Sequence, residues 1–299
     1  MEYTFTELCW LFLIYSFIGW VIEAAVGTIK NRRFTNRGFS TGPFCIVYGI
    51  AAVVMSVTLT ELIDNPVFLF IGCAVHAPVI ECITGNPLER LNRRKWWDYS
   101  GKKMNFDGYI CLQYTLLWAV LGVLCLKYGN TFFLFLYNFI PQPVPAIISY
   151  ILIGYVALDA ALSLAAVLHL RKQPAKTGRP AGRITLRLYH AASSLINHVE
   201  RRMTKAYPVF EERAEEILKE GRFAEGCGFY KLFWLFLTGA LLGDITETIF
   251  CRLTSGVWMS RSSLVWGPFS IVWGLAIAVA TALLYKDRDK PDRHIFVIG

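Results

Sequence analysis

The sequence predicts an all-α membrane protein, a polytopic bundle of about seven transmembrane helices that contains a duplicated helix–loop–helix unit. The first observation is composition, since 55% of the 299 residues are hydrophobic, only 17% are charged and the mean hydropathy is +0.44. A soluble domain of this length cannot bury that much apolar surface, so lipid must cover part of it. The other two observations are a series of span-length apolar segments and a repeat of rare polar residues.

The apolar segments approach the roughly 20 residues that cross a hydrocarbon core. The seven predicted spans are residues 8–29, 42–63, 67–86, 108–128, 144–170, 229–250 and 264–285. The apolar run 131–140 is too short to cross, and we expect it to lie at the membrane interface. Residues 1–170 therefore form an N-terminal membrane domain of about five spans. A cytoplasmic basic linker with an amphipathic helical hairpin follows at 171–228, and a two-span unit with a basic tail follows at 229–299.

Lysine and arginine near the ends of spans predict the orientation of the protein. The loop after the first span is basic and the next loop holds only the acids Glu61 and Asp64, while residues 171–226 carry twelve Lys and Arg side chains. This alternation predicts a multi-pass protein of the cell membrane with its N-terminus outside and its C-terminus in the cytoplasm. The net charge of +8 lies beside the spans, so it indicates the lipid bilayer as partner and gives no support to nucleic-acid binding.

The two ends of the chain align when the sequence is shifted by 224 residues, or by 225 after a one-residue insertion that follows Arg261, with 13 identities between Trp10 and Gly49. Residues that rarely match by chance are among them. They pair Gly19 with Gly243, Glu23 with Glu247, Arg37 with Arg261, Gly42 with Gly267 and Pro43 with Pro268. With seven crossings the two copies are inverted, as in many secondary transporters. If 131–140 crossed the membrane, the copies would be parallel. A thinner match, with Glu81 in place of Glu23, suggests a third copy.

Carboxylates inside predicted spans are the strongest functional signal. Each costs about 2.5–3.5 kcal/mol on insertion scales, so it normally faces a partner or a watery cavity. Arg37 and Arg261 follow their glutamates by 14 residues, and the pairs are either ion pairs that fix loops or parts of a substrate or proton path. The candidate path residues are Glu23, Asn36, Arg37, Glu81, Asp98, Asn105, Asp159, Asp244, Glu247 and Arg261. Gly19, Gly42, Pro43, Gly243, Gly267 and Pro268 are expected to shape the backbone around them.

Five segments resemble the bacterial CmpB-like ABC-transporter type IV membrane proteins: YSFIGWVIEA (15–24), NRGFSTGPFCIVYG (36–49), LER (88–90), WWDYS (96–100) and NFDGYICL (105–112). The resemblance covers roughly 8–165, and we expect 229–285 to lie beyond the family pattern. It implies a permease, and since the chain lacks a GxxxxGK[ST] motif, any ATPase would be a separate subunit. It also implies signature positions, which are Glu23, Asn36, Arg37, Gly42, Pro43, Glu81, Glu89, Trp97, Asp98, Asn105 and Gly108.

These observations favour a transporter, or an ABC-type permease subunit, for an unidentified small solute. One alternative is an intramembrane enzyme for a lipid or lipid-linked substrate, in which Glu23, Arg37, His76, Glu81 and Asp98 would gather near one leaflet. Another is a non-catalytic assembly or regulatory protein that uses the helical hairpin. The eight cysteines are scattered singly without metal-binding spacing, so we predict neither a metal nor a cofactor. A homo-oligomer remains open.

Overall fold

The computed structural model describes residues 3–36, 38, 40–92, 97–171, 227–256, 262 and 268–285. These residues form helices and connecting loops, with one isolated bridge between Phe106 and Ile110. The helices are α1 (Phe5–Asn31), α2 (Ile46–Thr58), α3 (Pro66–Asn92), α4 (Leu112–Leu124), α5 (Asn130–Phe139), α6 (Val144–Arg171), α7 (Phe229–Ser255) and α8 (Ile271–Leu284). The predicted all-α class is confirmed. The linker 172–226, which holds the predicted hairpin, lies outside the described residues.

Five helices of the described chain are long and apolar enough to cross a membrane: Phe5–Ile29, Pro66–Gly85, Leu112–Phe139, Val144–Leu164 and Phe229–Ser255. The helices α2 and α8 have only 13 and 14 residues. At 1.5 Å per residue each is about 20 Å long, less than the roughly 30 Å hydrocarbon core. The predicted spans 42–63 and 264–285 therefore each contain a half helix that begins several residues after the predicted start.

The run 131–140 is not a separate interfacial segment, which corrects our expectation. A π-helical turn, Cys125–Gly129, joins α4 to α5, so that one apolar helix runs from Leu112 to Phe139. The Tyr15 hydroxyl lies 3.1 Å from the Cys125 carbonyl oxygen and 2.9 Å from Asn130 Oδ1. A π turn disturbs the regular backbone bonding of a helix, and Tyr15 supplies a donor there. The run therefore adds no crossing.

In the N-terminal unit, α2 packs antiparallel against α1 and begins beside its middle. The Cys45 N–H donates to the Ser16 carbonyl at 2.8 Å, which places the start of α2 about twelve residues from the start of α1. Close approach requires glycine at two points. A Cβ at Gly19 would lie 2.6 Å from Tyr48 Cβ, and one at Gly49 would lie 2.6 Å from a backbone oxygen of α1. The loop 32–45 must therefore re-enter the bundle to reach this depth.

The C-terminal unit repeats this geometry. The bounds of α7 are those of α1 shifted by 224 residues, and both helices end in a left-handed cap, Arg32 with φ 51° and Gly256 with φ 72°. The Ser270 N–H donates to the Ala240 carbonyl at 3.0 Å, as Cys45 does to Ser16 in the first unit. The sequence repeat is therefore a structural repeat, down to the point where each half helix begins.

Helices α3 and α4 form a further pair, arranged in the same order as the two matched units. The first helix, α3, has 27 residues like α1 and α7, and α4 packs against it after a loop. Its second helix continues through the π turn to Phe139, so it crosses fully. The expected third copy is thus supported in architecture, with a longer loop and a longer second helix.

The two matched units run in opposite directions. Tyr48 at the start of α2 packs toward Glu81, while Thr58 at its end bonds His76, so α2 is antiparallel to α3 as it is to α1. Near its start, α7 places the Trp234 indole N–H 3.0 Å from the Met104 carbonyl, in the loop at the C-terminal end of α3. Hence α7 begins where α1 and α3 end. The predicted inversion is confirmed in the helix directions.

Candidate functional site

Glu23 on α1 is held by the half helix packed beside it. Gly19, one turn earlier, leaves room for the Tyr48 ring to lie against α1, and the Tyr48 hydroxyl donates to Glu23 Oε1 at 2.9 Å. This hydrogen bond partly offsets the cost of placing a carboxylate at this depth. The glycine and the glutamate four residues later thus act together. The glycine leaves room for an aromatic ring, and the glutamate accepts a hydrogen bond from the polar group of that ring.

Glu247 on α7 is bound in the same way by a different ring. The Trp273 indole N–H donates to Glu247 Oε1 at 2.6 Å, and Gly243 provides the space, since a Cβ there would lie 2.7 Å from Trp273 Cδ1. Trp273 is 41% exposed, so the site at Glu247 is more open to the surroundings than the site at Glu23. Both matched units therefore carry a carboxylate bound to an aromatic donor near the start of the half helix.

Glu81 on α3 is a third carboxylate bound by aromatic donors. The Trp118 indole N–H lies 2.8 Å and the Tyr99 hydroxyl 3.3 Å from the same oxygen, Oε1. Burial first, and the nearby Glu81 carboxylate second, raise the pKa of the Tyr99 phenol, so it remains a protonated donor at neutral pH. Tyr99 also stacks on Tyr114, with ring centroids 4.4 Å apart. Glu81 Oε2 is buried and has no hydrogen-bond partner among the described residues.

The sites at Glu23 and Glu81 are in contact. The rings of Tyr48 and Trp118 meet edge to face, with centroids 5.5 Å apart and planes at 84°. Glu23 and Glu81 are thus linked through two aromatic side chains that each hold one carboxylate. The structure therefore links two of the predicted site residues, Glu23 and Glu81, through their aromatic donors.

Asp159 and Asn36 shape the re-entrant loop. The Asp159 carboxylate on α6 accepts the backbone N–H groups of Thr41 at 3.2 Å and Gly42 at 2.8 Å. Asn36 Oδ1 accepts the Trp20 indole N–H at 3.1 Å, while its amide donates to the Thr41 carbonyl at 3.0 Å. Exposed backbone donors are costly in an apolar setting, and these side chains satisfy them. The Asp159 carboxylate therefore binds two backbone N–H groups of the loop that precedes α2.

Asp98 and Asn105 belong to the loop between α3 and α4. Asp98 accepts the Ser100 backbone N–H at 2.9 Å, and the Asn105 amide donates to the Ser100 and Lys102 carbonyls at 3.1 and 2.9 Å. These bonds close a turn at the surface. Nearby, the Trp97 indole donates to the Tyr109 carbonyl at 2.9 Å.

Of the five residues named for the enzyme alternative, Arg37 lies outside the described residues, and His76 and Glu81 face different helices. His76 faces α2, where its Nε2 lies 3.0 Å from Thr58 Oγ1 and its Nδ1 lies 2.8 Å from the Gly72 carbonyl. Glu81, five residues later, faces α4, and Asp98 is in the surface turn. Among the residues that the structure describes, no three or more His, Cys, Asp or Glu side chains form a group that could hold a metal ion.

Several predicted site residues lie outside the described residues or are only partly described. Arg37, Arg261 and Gly267 are outside them, so the two Glu–Arg ion pairs stay predictions. Asp244 on α7 is buried, with 1% exposed, and Pro268 lies in the bend before α8. Pro43 precedes Phe44, which packs in a cluster with Leu13 and Val156.

Sequence reasoning missed the aromatic donors Tyr48, Trp118, Tyr99 and Trp273. The repeat contained a signal for two of them, because Tyr48 and Trp273 occupy matching positions and each carries one polar group on a ring. Counting identities overlooks such a pair, since phenol and indole differ chemically but both donate a single hydrogen bond. No comparable signal pointed to Trp118. The suggested third copy would align Tyr114 with Tyr48, and Trp118 lies four residues beyond Tyr114.

The family comparison covers both repeated units. A family model described as "Putative ABC-transporter type IV" matches residues 10–164 and 234–298. The chain belongs to this family. The ABC-transporter type IV match at 234–298 corrects our expectation that the C-terminal unit lies beyond the family pattern, and it includes α7 from Trp234 onward and all of α8. Searches of curated proteins and of solved structures found no match.

Proposed function

We propose that this multi-pass protein is a membrane transporter, or the permease subunit of an ABC-type transporter, for a small solute. The observation that carries the proposal is the matched pair of inverted units, each with a carboxylate bound to a ring on its half helix. Inverted repeats with broken helices build many transporters, because rocking one repeat against the other opens a central site to each side in turn.

The half helices provide the broken elements that such a mechanism needs. Non-helical backbone at membrane depth occurs where protein covers it or where it lines a cavity. In the first unit, Asp159 holds the loop before α2 in this position. Glu23 and Glu247 are then placed to bind a cation or a basic group of the solute, and the rings on them are the parts that move when the solute binds.

The orientation and the partner belong to the same proposal. The loops after α1 and α3 and the C-terminal end of α6 lie at one end of the bundle, and these are the basic segments of the sequence. We therefore assign that end to the cytoplasm and the N-terminus to the outside of a bacterial plasma membrane. A separate ATPase subunit would dock at the basic end, and a homo-oligomer is compatible with the exposed apolar helix faces.

Sidedness is tested with cysteines at the matching ends of α1 and α7, introduced as Arg32→Cys and Ser255→Cys. All eight native cysteines are buried or half-buried, so the unaltered protein measures the background labelling. In intact cells an impermeant maleimide should label Ser255→Cys, and it should label Arg32→Cys only after lysis. Labelling of both from one side would refute the inverted arrangement in the membrane and the transport proposal with it.

Function is tested by comparing Glu23→Gln with Glu247→Gln in uptake assays. Cells that overproduce the chain are screened for uptake of labelled small cations and zwitterions. The uptake of the solute identified in this screen is then measured in each variant. A transporter built from inverted units should lose uptake in both variants, whereas the exposed Glu61→Gln should behave as the parent. Full activity in Glu247→Gln with loss in Glu23→Gln would instead favour a site confined to the N-terminal domain, as the enzyme alternative requires.

A further inference from the structure

Glu81 has an asymmetric set of hydrogen bonds within an apolar span. Both donors, the Trp118 indole at 2.8 Å and the Tyr99 phenol at 3.3 Å, reach Oε1. Oε2 is buried and accepts no hydrogen bond from the described residues. The two oxygens of one carboxyl group are therefore in different environments.

This asymmetry fits a neutral carboxyl group better than an ionised one. An ionised carboxylate shares its charge over two acceptor oxygens, and burying it without a partner on one of them costs more than burying a neutral carboxyl group there. A protonated carboxyl has one carbonyl oxygen, which accepts, and one hydroxyl oxygen. With the hydroxyl at Oε2 the remaining cost is that of one unmade hydrogen bond. The protonated form of Glu81 is therefore the less costly one to bury in this position.

The surroundings of Glu81 offer no positive charge among the described residues. The loop before α4 contributes the Tyr99 phenol, and α4 contributes the neutral indole of Trp118. On α2, the ring of Tyr48 lies between Trp118 and Glu23. The titratable groups around this centre are Glu23, Tyr48, Cys82, Tyr99, Asp107, Cys111 and Tyr114. They are all acids, so none of them would stabilise an ionised Glu81 by opposite charge.

We infer that Glu81 is a proton-binding site, with the proton on Oε2 while Oε1 is held by Trp118 and Tyr99. In the binding step a proton from water bonds to Oε2 and the carboxylate becomes neutral. In the release step the same O–H bond breaks and the proton returns to water, with no other bond changed. Glu81 must reach water for release, which requires a movement of α3 against α4 or of the loop that carries Tyr99.

The ion bound at Glu81 is a proton, and in the proposed transporter this proton is the coupling ion. That coupling rests on the proposed transport function, whereas the proton site itself does not. Trp118 connects the proton site to the proposed solute site, because its indole N–H binds Glu81 and its ring contacts Tyr48, which binds Glu23. A change of charge at Glu81 therefore alters the donor that borders the binding group of the first unit.

The proton site is tested by infrared difference spectroscopy of the full-length protein in lipid nanodiscs during a pH titration. We expect the carbonyl stretch of a protonated carboxylic acid, shifted in deuterated water and lost at high pH. It should be absent in Glu81→Gln, still present in Glu81→Asp and unchanged in Glu247→Gln. Folding of each variant is checked by its thermal unfolding in the same nanodiscs.

Three results would overturn the inference in distinguishable ways. The proton site is wrong if no such band appears at any pH at which the protein stays folded, or if the band persists in Glu81→Gln. The coupling is wrong if the band is present but solute uptake does not acidify or alkalinise the interior of proteoliposomes. The two results on the proton site do not depend on the maleimide labelling or the uptake screen that test the transport proposal, whereas the coupling measurement uses the solute that the screen identifies.

Discussion

Replacing Gly49 by alanine should push the half helix α2 away from α1. A Cβ at Gly49 would lie 2.6 Å from the Phe12 carbonyl oxygen, closer than real Cβ atoms approach an oxygen. The oxygen belongs to the backbone of α1 and cannot rotate aside as a side chain could. The helix that carries Tyr48 must therefore move, and the hydrogen bond from Tyr48 to Glu23 should lengthen or break.

The size of the effect follows from two opposing terms. Overpacking a close contact costs about 1–3 kcal/mol, and a rigid backbone contact lies at the upper end of that range. Alanine recovers about 1 kcal/mol of helix propensity, so we expect Gly49→Ala to destabilise the protein by about 2 kcal/mol. The matching residue Gly274 meets the Phe236 carbonyl at the same 2.6 Å, and Gly274→Ala should cost a similar amount.

Gly154→Ala is the control, because a Cβ there meets nothing within 4 Å. It should stabilise the protein by about 0.5–1 kcal/mol through the entropy of the unfolded chain. The measurement is the free energy of unfolding from titration of each purified variant with sodium dodecyl sulfate in mixed micelles, followed by circular dichroism. If Gly49→Ala is as stable as Gly154→Ala, α1 and α2 are not packed at this distance and the argument fails.

Three further predictions concern hydrogen bonds. Asp159→Asn removes the charge that binds the re-entrant loop, so the fully buried Ser40, replaced by cysteine, should react with maleimide at least several-fold faster in that background, and an unchanged rate would exclude this anchoring role. Tyr15→Phe should cost about 1–3 kcal/mol because it leaves buried acceptors unpaired at the π turn, whereas the exposed Tyr128→Phe should be neutral in the same unfolding titration. Trp273→Phe should leave stability within about 1 kcal/mol yet reduce uptake, since it keeps the ring but removes the single donor; equal uptake would show that this donor is dispensable.

The candidate site could be predicted from the sequence in part. Intramembrane carboxylates are conspicuous because they are expensive, and Glu23, Glu81 and Glu247 were all found that way. Their ring partners could not be found, because Trp118 lies 37 residues beyond Glu81 and no local pattern relates the two. Asp159 was predicted for the solute path, but it binds a loop 117 residues away in the sequence, which only the packing of α6 against α1 reveals.

The sequence by itself determined the class, the approximate place of each helix and the duplication, because hydropathy and rare matching residues are properties of the chain. Only the tertiary structure decided that two predicted spans are half helices, the first of them preceded by a re-entrant loop. A hydropathy window sums apolar side chains and does not register where backbone N–H groups find acceptors. In this fold the acceptors are the Asp159 carboxylate and the carbonyls of Ser16 and Ala240, all on other helices, so the boundary between loop and helix depends on packing.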